Sequence, residues 1–587
     1  MANSTIDLHT LSRLINDDEI VPNSGDSDSD ANSDANSDIN LSDVESEEGS
    51  EGSGGSEDRN SNNGDDIDEF LPDYVPMWVE TDFERVDKNA FTGNGGPVFP
   101  EDFDRRQATP KDYVSLFFTP TLMQTILSNS NHYHSWVVAQ KRRTKPDYVD
   151  RNWQDISMEH LQAYFGLNVL FGINELSSYP MYWSSDPFVG NAGVKSVMTL
   201  KSYEKINKYL HVSDRENEPP RGHPNHDKLF KIRPVIDVLS QQCLAVCKPY
   251  QNQCIDEAML GTKARCEYQQ FMKDKPIRRG VKLYLRCDSI SGFMHQFEVY
   301  LGKKHEVASS GNGVYFDVVD RLAKELRGKN HNLYYDNLYT SIPLAVHMLQ
   351  KKIYTCGTLR AGRKFVPSCI KNPRALQRGE HKTVQDALCP EMTLTTWADT
   401  KNVAFASTMS DPFELKTARR RVAGVITQVQ QPGIAFDYNA SFAGVDRYDY
   451  LRSAWPIGRA SLKLWKYFLW FFYNCAVTNA WILYKQTSTR DIQAYSHMRF
   501  RLELAQGLIA GYTESFSNRR NVAQANVVAP ANLHLHVNVH RRGKRPRCCY
   551  AHSRYKPDGK AKKETVYWCS ICHVNLCKDC HMMFHSQ

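Results

Sequence analysis

The chain has 587 residues, 41% hydrophobic and 24% charged, which supplies enough apolar material for real cores and excludes a wholly disordered protein. Its formal net charge is +5, from 72 Lys+Arg against 67 Asp+Glu, too mild as an average to announce a nucleic-acid partner. The length suits about three to four domains of roughly 150 residues.

The charge is unevenly spread. Residues 1–73 hold 21 acidic residues and two basic ones, Arg13 and Arg59, so this head carries −19 and the remaining 514 residues carry +24. Its runs of Ser, Asp, Glu, Asn and Gly cannot bury enough surface to offset chain entropy, and 1–75 is expected to be a disordered acidic tail. Ser27 and Ser42 each have an acid three residues on, which suits an acid-directed kinase; a plain solubilising tail fits the same composition. Met1 to Thr10 show neither a basic nor an apolar leader pattern, so reduced thiols are expected and cysteine clusters read as metal ligands before disulfides.

Residues 76–250 read as a helical region. The segment 116–131 shows helical spacing at Leu122, Ile126 and Leu127. A second helix is predicted from Ser157 as N-cap, through Leu161, Tyr164, Phe165, Val169 and Leu170, and a third over about 200–211. Residues 251–360 change period. CIDEAML, VKLYLRCDS and FMHQFEVYLG read as three strands. An amphipathic helix over 314–329 follows, with Val314, Val318, Val319, Leu322 and Leu326 on one face. Then come strand HNLYYDN, helix IPLAVHMLQKK and strand IYTCGTL. That order is expected of an α/β ribonuclease H-like core with a mixed sheet.

Residues 361–435 read as an inserted, β-rich subdomain, with strand-like NVAFASTM and GVITQVQQ. Helices resume over 436–485 to complete the core. The apolar run Leu464 to Tyr484 contains Lys466, Asn474 and Asn479, which are costly in hydrocarbon, so a buried core helix is expected in place of a membrane span. Residues 486–516 return to the helical region, 517–545 form a linker, and 546–587 form a Cys/His-rich module.

Three acidic positions stand out by placement: Asp256 in the first strand, Asp336 at the end of the fourth, and Asp446 with Asp449 in GVDRYD, three apart and on one face if helical. Such a set suits two-metal phosphoryl transfer, in which two Mg²⁺ or Mn²⁺ ions activate one oxygen and stabilise another. A basic cluster of Lys273, Lys275, Arg278, Arg279 and Lys282 lies beside the first strand, where it is expected on a DNA backbone. A second run, 540–547, offers Arg541, Arg542, Lys544 and Arg545 for phosphate contact or nuclear import. No GxxxxGK[ST] loop is present, so no nucleotide cofactor is expected.

Six of the 15 cysteines follow residue 547. The pairs Cys549/His552, Cys569/Cys572, Cys577/Cys580 and His581/His585 can make two tetrahedral Zn²⁺ sites, and an interleaved cross-brace would join the first pair to the third and the second to the fourth. A module this small needs the metal for its folding energy. His573 reads as a spare.

CIDEAMLGTKAR, VKLYLRCDSISGF, YYDNLYTSIPLAVHML, CGTLRAGRKFVP and GVDRYDYLRSAW together resemble a piggyBac-family DNA transposase, over roughly 76–587. FFTPTLMQTIL, LQAYFGLNVLFGI and HMRFRLELAQGL are similar as well. The resemblance implies a ribonuclease H-like core with Asp256, Asp336 and Asp446 as the metal-binding triad and Asp449 as the family's additional acid. It implies that the flanking helical region binds DNA and dimerises. It also implies excision through a hairpin, joining of 3′-hydroxyls into TTAA, and a zinc tail that binds transposon ends. One departure stands in the tail: the first pair is Cys-x2-His where relatives often have Cys-x2-Cys, and Cys548 competes with Cys549 for that place. The expected partners are double-stranded DNA and a second copy of the chain, with no membrane, in the nucleus. A domesticated derivative that binds DNA without cutting is the alternative; the intact acid set favours the enzyme.

Overall fold

The computed structural model describes residues 74–514, apart from breaks at 151–152, 263, 265, 274–276, 303–309, 423–424, 459–460, 462 and 489–494. In the tail it describes 538–540, 547–549, 552, 564–569, 574–577 and 580. The acidic head therefore lies outside the described residues. The chain divides into two compact units, one through Glu514 and one from Ser515.

The first unit opens with short strands β1 (Trp78–Val79) and β2 (Gly96–Pro97). Six helices follow: α1 (Pro110–Ser115), α2 (Pro120–Thr144), α3 (Met158–Ile173), α4 (Ala192–Val197), α5 (Leu200–Tyr209) and α6 (Arg233–Ala245). Their starts are written in the sequence. Thr119 caps α2 from its side chain with Pro120 at the first helical position. Ser157 caps α3 in the expected way, its hydroxyl accepting from the His160 N–H.

Strands β3 (Cys247–Lys248), β4 (Asn252–Gly261), β5 (Gln269–Phe271), β6 (Arg279–Asp288) and β7 (Met294–Val299) come next, then α7 (Val314–Leu322). The alternation ends with β8 (His331–Tyr335), α8 (Ile342–Gln350) and β9 (Ile353–Thr358). After α9 (Ser368–Lys371) run β10 (His381–Asp386), β11 (Cys389–Ala398), β12 (Asn402–Ser407), β13 (Leu415–Val422) and β14 (Val425–Pro432). Four helices close the unit: α10 (Gly433–Ser441), α11 (Gly444–Ser453), α12 (Leu464–Thr487) and α13 (His497–Ile509).

Ten strands form one mixed sheet in the order β1-β10-β11-β12-β9-β8-β4-β6-β5, with β7 also on β6. Only β4, β8 and β9 run parallel, at the centre. The segment 361–435 is β-rich but is not set apart from this sheet. Its strands β10, β11 and β12 continue the sheet from β9, and only β13 and β14 form a separate hairpin.

Side chains alternate across the sheet. On one face Ile255, Leu333, Tyr335 and Ile353 pack against α7 and α8. On the other Cys254, Tyr334 and Cys356 join the large core shared with the helices. Helix α12 runs through that core with 18 of its 24 residues buried, the pattern of a helix enclosed on all sides. Lys466, Asn474 and Asn479, its costliest polar residues, all have partners. Lys466 Nζ donates to the carbonyl and side-chain oxygens of Asn207. Asn474 receives from Arg501 and donates to the Arg452 carbonyl, and Asn479 closes both backbone bonds of Met294. Among the described residues no helix is long and apolar enough to cross a membrane.

Candidate functional site

The register of β4 on β8 pairs Cys254 with Tyr334 and Ile255 with Tyr335. Asp256 and Asp336 directly follow that last pair. Since Ile255 faces α7 and α8, alternation along β4 turns Asp256 to the opposite face. Asp336 follows β8 in a tight turn. Its Oδ1 accepts the Leu338 N–H at 2.8 Å, and its carbonyl accepts the Thr340 hydroxyl at 2.8 Å. Asp256 Oδ1 accepts the N–H of Glu257 at 2.8 Å.

Helix α11 crosses this face. It approaches so closely that a Cβ on Gly444 would lie 2.5 Å from Cys254 Sγ and 2.5 Å from the Asp288 carbonyl oxygen. Only glycine fits there. The contact fixes the first turn of α11, which carries Asp446, beside the strand that carries Asp256. Asp446 is exposed; Asp449, one turn on, is half-buried and pairs with Arg452 at 3.1 Å. Burial first, then Cys254, and after it the Asp449 charge push the Cys287 thiol up, so Asp449 lies within electrostatic reach of β6.

A buried frame holds the two strands. Arg286, fully buried on β6, donates to the Leu322 carbonyl at 2.7 Å and to Gln253 at 3.0 Å on β4. Burial lowers its guanidinium to about 10. Sequence reasoning did not single out this residue, because an isolated arginine in a strand looks like surface charge. It also passed over Arg360 and Arg363 as individuals. Arg360 Nε donates to Asn337 Oδ1 at 2.9 Å, and Arg363 Nη2 donates to the Leu338 carbonyl at 2.6 Å. Both therefore grip the turn that follows Asp336 and place positive charge beside it.

The basic cluster divides. Lys273, Arg278 and Arg279 are exposed, and Lys275 lies outside the described residues. Lys282 departs from the expectation. It is buried, with its ammonium 4.6, 5.1 and 5.3 Å from the rings of Tyr284, Tyr300 and Tyr315. Its place on β6 points it to the α7 face, where the ring quadrupoles hold the cation, so it does not join the exposed group. Arg541, Arg542, Lys544 and Arg545 lie outside the described residues.

The second unit is built round a compact cluster. Cys549, His552, Cys577 and Cys580 are all buried, and their ligand atoms lie within 4.8 Å of one another. Cys580 Sγ is 3.2 Å from His552 Nδ1, and the Cys577 N–H donates to Cys549 Sγ at 3.3 Å. Three thiols and an imidazole suit a tetrahedral zinc ion. The cluster joins the first and third pairs of the spacing pattern and uses Cys549; Cys548 lies in β16 (Arg547–Cys548), one of four short tail strands with β15 (Asn538–His540), β17 (Glu564–Thr565) and β18 (Tyr567–Cys569). Cys569 ends β18, while Cys572, His581 and His585 lie outside the described residues. A second trio, His132, Asp214 and Glu216 in the first unit, is exposed or half-exposed, and its histidine bonds both carboxylates.

Residues 109–481 match the model of the family described as Transposase IS4. Human PiggyBac transposable element-derived protein 5 is 24% identical over 436 residues, covering 71% of this chain and 78% of that protein. Human PiggyBac transposable element-derived protein 3 is 26% identical over 505 residues, covering 83% and 78%. Among solved structures, a piggyBac transposase synaptic complex with hairpin DNA aligns with a TM-score of 0.61 at 25% identity, over 72% of this chain and 83% of that one.

Proposed function

The chain belongs to the piggyBac-type transposase family, and on that premise we propose that it is a metal-dependent cut-and-paste DNA transposase. In this reading the mixed sheet is a ribonuclease H-like core. The enzyme excises its element through a hairpin and joins the 3′-hydroxyl ends into TTAA targets, as a homodimer in the nucleus. The observation that carries the reading is that Asp256 and Asp336 follow the last paired residues of β4 and β8, while Gly444 brings the turn with Asp446 against β4.

Asp256, Asp336 and Asp446 would hold two Mg²⁺ or Mn²⁺ ions, with Asp449 as a further acid beside them. When bound, such ions supply the Lewis acidity that activates an attacking water or 3′-hydroxyl and stabilises the leaving oxygen. The chain's own residues set the geometry. The β4–β8 pairing anchors the residues just before two of the carboxylates, and Gly444 sets the approach of the third. Exposed Lys273, Arg278, Arg279 and Arg360 lie where phosphates can be held without reading sequence. The tail cluster of three cysteines and a histidine would hold one zinc ion and present the module to transposon-end DNA, with Cys569, Cys572, His581 and His585 supplying a second site.

A second reading rests on the relatives, which are described as transposable element-derived. In it the chain keeps DNA binding and lacks cleavage. One experiment separates the two. Purified protein with Mg²⁺ should cut a duplex carrying the inverted repeat that flanks its gene, at the TTAA boundary. Asp336→Asn should abolish cutting and leave binding intact. Binding without cutting by the unaltered chain would favour the second reading, and normal cutting by Asp336→Asn would remove the triad.

A further inference from the structure

The junction between α10 and α11 lies across the ends of both carboxylate-bearing strands. Gly444 meets Cys254, two residues before Asp256. Helix α10 is anchored on β9 through its first turn, where the Ile434 carbonyl faces Cys356 Sγ. Between these anchors sits an aromatic pair. The rings of Tyr438 and Phe442 are stacked, with centroids 4.9 Å apart and planes 9° from parallel. Tyr438 is buried, and Phe405 supports its edge at 5.7 Å. Phe442 is 39% exposed, and among the described residues Tyr438 is its one ring partner.

The charges of Asp336 and Asp256 both reach the Tyr438 hydroxyl, which burial holds well above its ordinary value. The Tyr438 hydroxyl therefore lies near both carboxylates, and Phe442 stands two residues before the Gly444–Cys254 contact and four before Asp446. Phe442 packs one face on Tyr438 and leaves 39% of its surface in water. A supported aromatic face is the surface on which an unpaired base stacks.

We propose that Phe442, backed by Tyr438, is a stacking platform for one unpaired nucleobase of the DNA next to the scissile phosphate. The proposal rests on the reading of this face as a DNA-cleaving site. A base leaving its duplex loses stacking, and a supported ring that accepts it restores that contact at the position where the strand must be opened for cleavage. The Tyr438 ring keeps Phe442 from folding away, so the platform is preformed.

The test uses the full chain and needs no cleavage. The probe is a duplex with a four-nucleotide single-stranded TTAA extension, compared with the same duplex carrying abasic sites in the extension, both in Ca²⁺. The unaltered chain should bind the base-bearing extension about tenfold more tightly, as one stacked base implies. Phe442→Leu, similar in size but without a π-face, should bring the two affinities within about twofold, and Phe442→Tyr should restore the preference. An equal preference in the unaltered chain and in Phe442→Leu would overturn the platform. Cleavage in Mg²⁺ is scored separately: its failure would strike the catalytic reading, while the affinity ratio still decides the platform.

Discussion

Asp256 and Asp336 each directly follow Ile255 and Tyr335, the last residues that pair between the parallel strands β4 and β8. That pairing anchors both backbones one residue before the carboxylates. A carboxylate placed this way has little room to move. Asp256→Glu, which keeps the charge and adds one methylene, should therefore lose about a hundredfold in cleavage rate, the usual cost of a misplacement near 1 Å. Asp256→Asn should lose at least as much. The double variant with Asp336→Asn should be no worse than either single one, because groups that act as a unit are not additive. A single-turnover cleavage assay at saturating Mg²⁺ checks all three; near-native activity in Asp256→Glu would remove Asp256 from the site.

Gly444 is the second constraint. A methyl group there would sit 2.5 Å from both a sulfur and a backbone oxygen. The sulfur can be removed but the carbonyl cannot. Gly444→Ala should destabilise the chain by about 1–3 kcal/mol, the range for overpacking, and should reduce cleavage by displacing the turn that carries Asp446. Adding Cys254→Ala should recover only part of either loss. Thermal melts and cleavage rates on the same preparations measure it.

Much of this was legible in the sequence where local chemistry sets the outcome. Ser157 caps its helix as read, and the three polar residues that argued against a membrane span, Lys466, Asn474 and Asn479, all form buried hydrogen bonds. What escaped depends on pairing between distant segments. Nothing local shows that β12 adds to β9, which makes 361–435 a continuation of the sheet. Lys282 sits in a basic run and looks like its neighbours. Its burial follows from Tyr300 and Tyr315 arriving from other elements. The choice of Cys549 over Cys548 needs the strand that ends at Cys548, which spacing alone does not reveal.

Lys466 makes a prediction about pH. Burial is the main cause and the nearby Lys463 the lesser one, and together they lower its ammonium to about 7. Unfolded, it returns to about 10.4. Between these values the unfolded chain binds the extra proton, so this residue makes stability rise with pH from about 7 upward, while below 7 its cost is constant. Lys466→Met removes the cost. Its stabilising effect at pH 6 should exceed that at pH 9 by about 2–3 kcal/mol. Urea unfolding of both proteins at the two pH values measures the difference; a gain independent of pH would mean the ammonium is not desolvated when folded.

The charge division predicts a restraint. The head carries −19 and the rest +24, so at low salt the head competes with DNA for the basic surface. Deleting residues 1–73 should raise affinity for a non-specific duplex about tenfold at 50 mM salt, with the gain fading by 200 mM as screening increases. Equal affinities at low salt would show that the head solubilises and does not compete.

The tail makes the last prediction, and it concerns stoichiometry. Four ligands, Cys549, His552, Cys577 and Cys580, come together from two of the four sequence pairs. If the remaining pairs act likewise, the full chain should release two zinc ions on denaturation. Cys577→Ser and Cys572→Ser should each release one fewer, and not the same one: the double variant should hold none. Because a module of this size takes its folding energy from metal, losing the cluster at Cys577 should unfold the tail while the main melting transition, which belongs to the unit through Glu514, stays within about 1 °C. Binding to transposon-end DNA should fall, whereas binding to non-specific duplex through the exposed Lys273, Arg278 and Arg279 should persist. Zinc release read with a chromogenic chelator, alongside calorimetry, decides between two interleaved sites and one. One ion per chain, lost equally in both variants, would mean that Cys572 and Cys577 ligate the same ion and that no second site forms.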